Sequence, residues 1–293
     1  MPAVNSSRRV GRNSDRIFPK VPLASGRAFT EKASVTQLEE TTPEAVIARI
    51  EAARSGVAHD GAIAFDGDGT LWSGDVGEDF FFAVVDRGDF RAPAVDALRR
   101  TARDAGVDDA GDGRALARAL YDAYTAGAFP EERICQVITW SCAGWTRAEV
   151  DELARGVCAD LAARLHPELA PIIAWARSHG VETLLVSASP REVVEAGADV
   201  VGIARDRVVA ATARYGASGV MLADVVRPIP YGPGKVTGLR ALLGDRPLYA
   251  AFGDNVFDVA MLNAAAVKVA VRPKARLVER AHEVPGLLRI ARG

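Results

Sequence analysis

Ala62-Ile63-Ala64-Phe65-Asp66-Gly67-Asp68-Gly69-Thr70 is the stretch on which the fold turns. Four apolar residues ending in turn residues predict a buried strand that feeds a loop. The loop carries carboxylates at i and i+2, which point the same way in extended backbone. Its glycines let backbone approach a ligand closely. Asp66 and Asp68 can therefore both face one site at a strand's C-terminal edge, where open α/β sheets bind their ligands. Two acids there suit a nucleophile with a general acid/base, or a divalent metal. An acidic, glycine-rich turn without chemistry reads the same in isolation, so the rest of the chain has to decide.

Three later stretches do so. Leu184-Leu185-Val186 ends in Ser187-Ala188-Ser189-Pro190, a second buried strand finishing in hydroxyls. Gly232-Pro233-Gly234-Lys235 sets a lysine after a Gly/Pro turn. Tyr249-Ala250-Ala251-Phe252 is a third apolar strand, ending in Gly253-Asp254-Asn255-Val256-Phe257-Asp258. Strand-end acid, strand-end hydroxyl, lysine and strand-end acid pair, in this order, resemble the four motifs of the haloacid dehalogenase-like phosphohydrolase superfamily. Asp66, Asp68, Thr70, Ser187, Lys235, Gly253, Asp254 and Asp258 carry the resemblance, which runs from about residue 62 to about residue 272.

Composition narrows the field. With 293 residues, 49% of them hydrophobic, the chain can bury one substantial core and an accessory domain. No apolar run approaches the roughly 20 residues of a membrane span, so a membrane partner is not expected. The net charge of −2 gives no reason to expect nucleic acid. Seven Lys/Arg against two Asp/Glu within residues 1–32 mark a basic segment. Ser7-Arg8-Arg9-Val10 faintly suggests a twin-arginine signal, but no apolar h-region follows, and the expectation is a cytoplasmic protein. Cys135, Cys142 and Cys158 show no zinc spacing and read as buried reduced thiols. His59, His166, His179 and His282 are scattered and read as incidental.

Residues 1–40 are polar and rich in Arg, Ser and Pro, and predict a disordered basic N-terminal arm. Thr42-Pro43-Glu44 is a helix start, and that helix stops near Gly56. From residue 75 to residue 165 the periodicity is helical only, a poor match to ordinary α/β layering. Helix and strand then alternate: strands at 181–186, 208–211, 219–222, 247–252 and 267–271, helices at 171–178, 191–197, 236–243 and 257–263, and a last helix over 279–292. The alternation predicts an α/β fold with a doubly wound parallel sheet. Residues 41–74 and 166–293 form its Rossmannoid core. The resemblance implies that 75–165 is an inserted all-helical cap of the C1 type, and the early insertion looks like the phosphoserine-phosphatase branch.

A carboxylate nucleophile repels a phosphate ester; two like charges at 4 Å cost about 4 kcal/mol at an effective dielectric of 20. Cations must offset this. Asp66 and Asp254 are suited to Mg²⁺ through oxygen ligands, and Lys235 supplies a second positive charge. Ser187 and the Ala188 backbone N–H are placed to donate to phosphoryl oxygens. The resemblance implies that Asp66 attacks phosphorus to form a phosphoaspartate. By the same resemblance Asp68 is general acid and base, with its backbone carbonyl as a metal ligand. Thr70 fixes the loop at the phosphate site, and Asp258 and Asn255 support the ligands from behind. Asp75 lies nine residues after Asp66, where phosphoserine phosphatases carry a glutamate for the substrate amine; the shorter acid departs from that pattern. Asp75, Glu78 or Asp79 could still read a cationic group, with Trp72, Phe80, Phe81 or Trp140 stacking on it. The partner is thus a small-molecule phosphate ester and the enzyme a monomer or homodimer. Asp68 argues against dehalogenation, since halide leaves without a proton. Phosphotransfer through the same intermediate, and a non-catalytic module of the same fold, are the alternatives.

Overall fold

The structure, a computed structural model, describes residues 38–56 and 60–292. The expected basic arm falls outside the described residues up to residue 37, as do His59 and its two predecessors. The described residues cluster as one unit.

In chain order the elements are β1 (Glu39–Thr41), α1 (Pro43–Ser55), β2 (Ala62–Asp66), α2 (Val76–Arg87), α3 (Ala92–Asp104), α4 (Gly113–Thr125), α5 (Glu131–Trp140), α6 (Arg147–Val157), α7 (Ala170–Ser178), β3 (Glu182–Pro190), α8 (Arg191–Val201), β4 (Val208–Ala211), β5 (Ala213–Tyr215), β6 (Met221–Val225), α9 (Pro233–Leu243), β7 (Leu248–Gly253), α10 (Val259–Asn263), β8 (Val267–Ala270), α11 (Ala275–Glu279) and β9 (Leu287–Ile290). Seven strands form one sheet in the order β1-β9-β8-β7-β2-β3-β4, and every neighbouring pair is parallel.

β2 is central and buried along its whole length. Its period-2 alternation sends Ile63 and Phe65 into the layer shared with α1, α7 and α8. Ala62 and Ala64 go to the opposite layer under α9 and α10. Phe65 stacks on Phe252 of β7, centroids 4.3 Å apart and planes within 13°. The small alanines on the other face let α9 and α10 approach the sheet. From β2 the chain winds one way to β3 and β4, then returns to β7 on the other side. The reversal opens a crevice at the C-terminal end of β2, the switch point where such sheets take ligands.

Between β2 and β3 only helices occur. α2 starts at Asp75, whose side chain accepts from the Glu78 N–H, and ends at Gly88 in the left-handed conformation, φ 68°. α3, α4 and α5 bury Leu98, Leu116, Leu120, Ile134 and Ile138 in a cluster with Phe81 and Val85 of α2. The antiparallel β5–β6 hairpin joins this helical body through backbone: Gly144 N–H donates to Met221 O and Met221 N–H to Trp145 O. Val225 lies in the same apolar cluster.

Two expectations fail. Residues 279–292 are not a helix: α11 ends at Glu279 and Leu287–Ile290 is β9, paired with β8 and β1. Pro285-Gly286, with Gly286 at φ 77°, stops any helix there. Leu287, Leu288 and Ile290 are then buried, while Arg289 is exposed. At the other end, Glu39 and Glu40 are not arm but strand, in register with Leu288 and Arg289.

Candidate active site

Three strand ends and one helix build the site. Asp66 ends β2, Ser187–Ser189 lie in the last part of β3, and Asp254 follows β7. Lys235 stands in the first turn of α9. Its ammonium donates to Asp66 Oδ1 at 2.6 Å and to Asp258 Oδ1 at 2.5 Å, with the lysine, Asp66 and Asp258 side chains all buried. Thr70 Oγ1 donates to the other Asp66 oxygen at 2.9 Å. Both oxygens of Asp66 are therefore oriented. Asp258 Oδ2 accepts from the backbone N–H groups of Asp254 and Asn255, so the same carboxylate that meets Lys235 also shapes the turn after β7. The Asn255 side chain caps that turn on Val256.

Asp66, Asp254 and Asp258 bring carboxylate oxygens within 4.8 Å of one another, all buried. Lys274, in the loop after β8, approaches Asp254 Oδ2 at 2.9 Å. Burial pushes the Asp66 carboxyl well above the usual range; Asp258 adds to this and Lys235 opposes it. Burial likewise raises Asp254 to about 6, against the pull of Lys274. Burial lowers the Lys235 ammonium, but Asp258 and Asp66 outweigh it and hold it above the normal lysine range. Three buried carboxylates facing one point with oxygen donors only suit a hard divalent cation. The donor set fits Mg²⁺.

Asp68 stands apart from that cluster. Its Oδ1 accepts from Trp72 Nε1 at 2.9 Å and from the Val76 N–H at 2.7 Å. Its Oδ2 accepts from Ser187 Oγ at 3.2 Å and Ser189 Oγ at 2.7 Å. The first turn of α2 and the hydroxyls of β3 thus hold one carboxylate beside the nucleophile candidate. Gly69 makes the tight loop possible: its φ is 83°, and a Cβ there would come within 2.2 Å of Asp254 Oδ2.

Asp66, Asp68, Asp75, Glu78, Ser187, Ala188, Lys235, Asp254, Asn255 and Asp258 all line one pocket. Thr70 is fully buried beneath it, its carbonyl taken by His166 Nδ1 at 2.8 Å. That histidine is thus not incidental. Asp79 pairs with Arg164 instead and is not in the lining. The aromatic residues expected to stack on a substrate are elsewhere: Trp72, Phe80 and Phe81 are fully buried and Trp140 nearly so. Tyr124, Tyr231 and Phe257 are the aromatic lining residues, joined by Glu131, Ile134, Cys135 and Ile138, and by Lys274. Of these only Lys274 carried a readable signal, as one of five lysines and just past a predicted strand. The others come from helices whose periodicity marks an apolar face but not what that face looks onto, or, for Tyr231 and Phe257, from turn and loop positions without periodicity. Ser189 also belongs to the site, through Asp68.

A carboxylate cluster with a buried lysine, at the switch point of a doubly wound sheet, defines the class. The model of the haloacid dehalogenase-like hydrolase family matches residues 63–263, and the chain belongs to that family. No curated protein sequence matches it. Among solved structures, a Bordetella pertussis Tohama I protein of unknown function is similar at 22% identity and TM-score 0.60, over 80% of this chain and 100% of its own. A functionally unknown Anaerococcus prevotii DSM 20548 protein gives 15% identity and TM-score 0.62, over 87% and 93%. A HAD family hydrolase from Salmonella enterica subsp. enterica serovar Typhi gives 17% and 0.51, over 85% and 77%. These likenesses establish the fold.

Proposed function

We propose that the protein is a Mg²⁺-dependent phosphomonoester hydrolase for a small metabolite, of the phosphoserine-phosphatase-like branch, working through a phosphoaspartate on Asp66. The observation that carries this reading is the division of labour between two carboxylates two residues apart. Asp66 sits in the metal-fitting carboxylate cluster with Lys235. Asp68 is held away from the cluster by Trp72, Val76, Ser187 and Ser189. Hydrolysis of an alkyl ester through a carboxylate nucleophile needs both kinds.

Asp66 attacks phosphorus, and the bond from phosphorus to the alcohol oxygen breaks. Asp68 delivers a proton to that oxygen. Water then attacks the phosphoaspartate while Asp68 takes its proton, releasing phosphate and restoring Asp66. Asp66 and Asp254, with Asp258 close by and the Asp68 carbonyl by family resemblance, would hold Mg²⁺. The ion would supply charge neutralisation for the phosphoryl oxygens. Lys235 keeps Asp66 oriented and shields the approaching anion from it, and Ser187 and the Ala188 N–H lie in the same pocket as donors. Phosphorylation trapping and turnover assays test the reading. Asp66→Asn removes Mg²⁺-dependent hydrolysis and the trapped phosphoenzyme while the far-UV CD spectrum stays native. Undiminished hydrolysis by that variant would falsify the mechanism.

A further inference from the structure

Because the reacting groups form the pocket floor, the alcohol of any ester must lie against the rest of its lining. That lining is chemically one-sided. It holds seven carboxylates (Asp66, Asp68, Asp75, Glu78, Glu131, Asp254 and Asp258) against two lysines, and no arginine or histidine. Both lysines are committed: Lys235 to Asp66 and Asp258, Lys274 to Asp254. A phosphate dianion and a divalent cation cancel each other at the floor, so the excess of carboxylates confronts the alcohol.

The acids are not equally available. Asp75 spends one oxygen on capping α2 at the Glu78 N–H, and burial pushes the Glu78 carboxyl up, opposed by the neighbouring Tyr121 hydroxyl. Glu131, at the start of α5, has no hydrogen bond or ion pair among the described residues; burial pushes its carboxyl up, and Arg276 and Lys274 oppose this only through their fields. Its neighbours in the lining include Ile134 and Cys135 on the same helix and the aromatic rings of Tyr124, Tyr231 and Phe257. Phe257 already has the Arg276 guanidinium 5.4 Å from its centroid, and Tyr231 packs 4.4 Å from the same ring. Carboxylates with aromatic and apolar walls favour an organic cation, through charge and through the ring quadrupole. A second anionic group on the alcohol would find no free cation in the lining.

We infer that this pocket selects a phosphate monoester whose alcohol carries an ammonium group and no carboxylate, a phosphorylated amino alcohol, with Glu131 as a residue that reads the positive charge. The inference rests on the phosphatase reading for turnover but not for binding. The test is a series of esters matched in size: 2-aminoethyl phosphate, its trimethylammonio counterpart, propyl phosphate, 3,3-dimethylbutyl phosphate and phosphoglycolate. The expected order in kcat/KM is cationic above neutral by about tenfold, and neutral above anionic. In Glu131→Gln the cationic-to-neutral ratio falls by about threefold or more, whatever the absolute rates. Calorimetry with 3-aminopropylphosphonate against butylphosphonate, in Mg²⁺, reads the same preference without chemistry. Preference for the amine in binding with no turnover of any ester overturns the phosphatase reading alone. Equal or reversed preference in turnover and in binding overturns this inference, as does a Glu131→Gln ratio that does not change.

Discussion

At the scale of single residues, Asp66 and Asp68 are chemically identical and differ only in what surrounds them. Lys235 and Thr70 engage Asp66, whereas an indole N–H, a backbone N–H and two hydroxyls engage Asp68. To carry a proton for the leaving alcohol, Asp68 needs one of those hydroxyls to turn its O–H away and free an oxygen. Loss of a general acid/base slows turnover by roughly 10²–10⁴-fold. Asp68→Asn is therefore expected to lose most on alkyl phosphates and less on p-nitrophenyl phosphate in the first step, where the leaving group departs without a proton. It should also accumulate phosphoenzyme, since water attack still lacks a base. Rapid-quench kinetics on both esters reads the difference. Small, equal losses with no trapped intermediate would leave Asp68 a structural acid.

At the scale of elements, the C-terminal segment shows how neighbours decide between helix and strand. Leu287, Leu288 and Ile290 form too short an apolar run for periodicity to separate the two. β9 forms because β1 and β8 pair with its two edges and because Gly286 turns the chain into the sheet. Leu288 is buried, 2% exposed, in the layer that also holds Ile290. Leu288→Ala should therefore cost about 2–5 kcal/mol. Arg289→Val, on the exposed side of a strand, should stay within about 0.5 kcal/mol. Urea titration of both variants checks the assignment; a mild Leu288→Ala would mean that β9 is not built into the core.

At the scale of the whole molecule, the sheet gathers Asp66, Asp68, Asp254 and Asp258 with only Lys235 and Lys274 to offset them. Without a cation the native state is strained by this like charge. Asp254, raised to about 6 by burial, holds a proton below that pH more readily than the unfolded chain does. The stability this proton contributes is fully present below the ordinary carboxylate pKa and is lost as pH rises through about 6. A bound divalent cation takes the proton's place. Mg²⁺ at about one hundred times its dissociation constant adds about 2.7 kcal/mol, which is roughly 4–5 °C in Tm for a chain of this length. Scanning fluorimetry should show that shift at pH 7.5, a smaller one at pH 5, and none in Asp254→Asn. A shift equal at both pH values would place the cation elsewhere.

The sequence by itself determined the inner strands of the sheet and the acids, hydroxyls and lysine that stand at their ends, because both depend on short-range pattern. Strands ending in Asp66, in Ser187-Ala188-Ser189 and in Gly253-Asp254 are apolar runs closed by turn residues, and in a doubly wound sheet their ends meet at one edge. The lysine after Gly232-Pro233-Gly234 is legible for the same reason, since a helix start fixes where its first turn points. Tertiary structure alone decided the rest. Whether Trp72 stacks on a ligand or buries itself against Asp68 depends on how α2 and the β3 loop close around it. Tyr124, Glu131, Tyr231 and Phe257 come from helix and loop positions that are distant in the chain, and only their convergence makes a wall. Periodicity tells a helix which face to bury; what stands opposite that face is set by the packing of segments the local sequence does not encode.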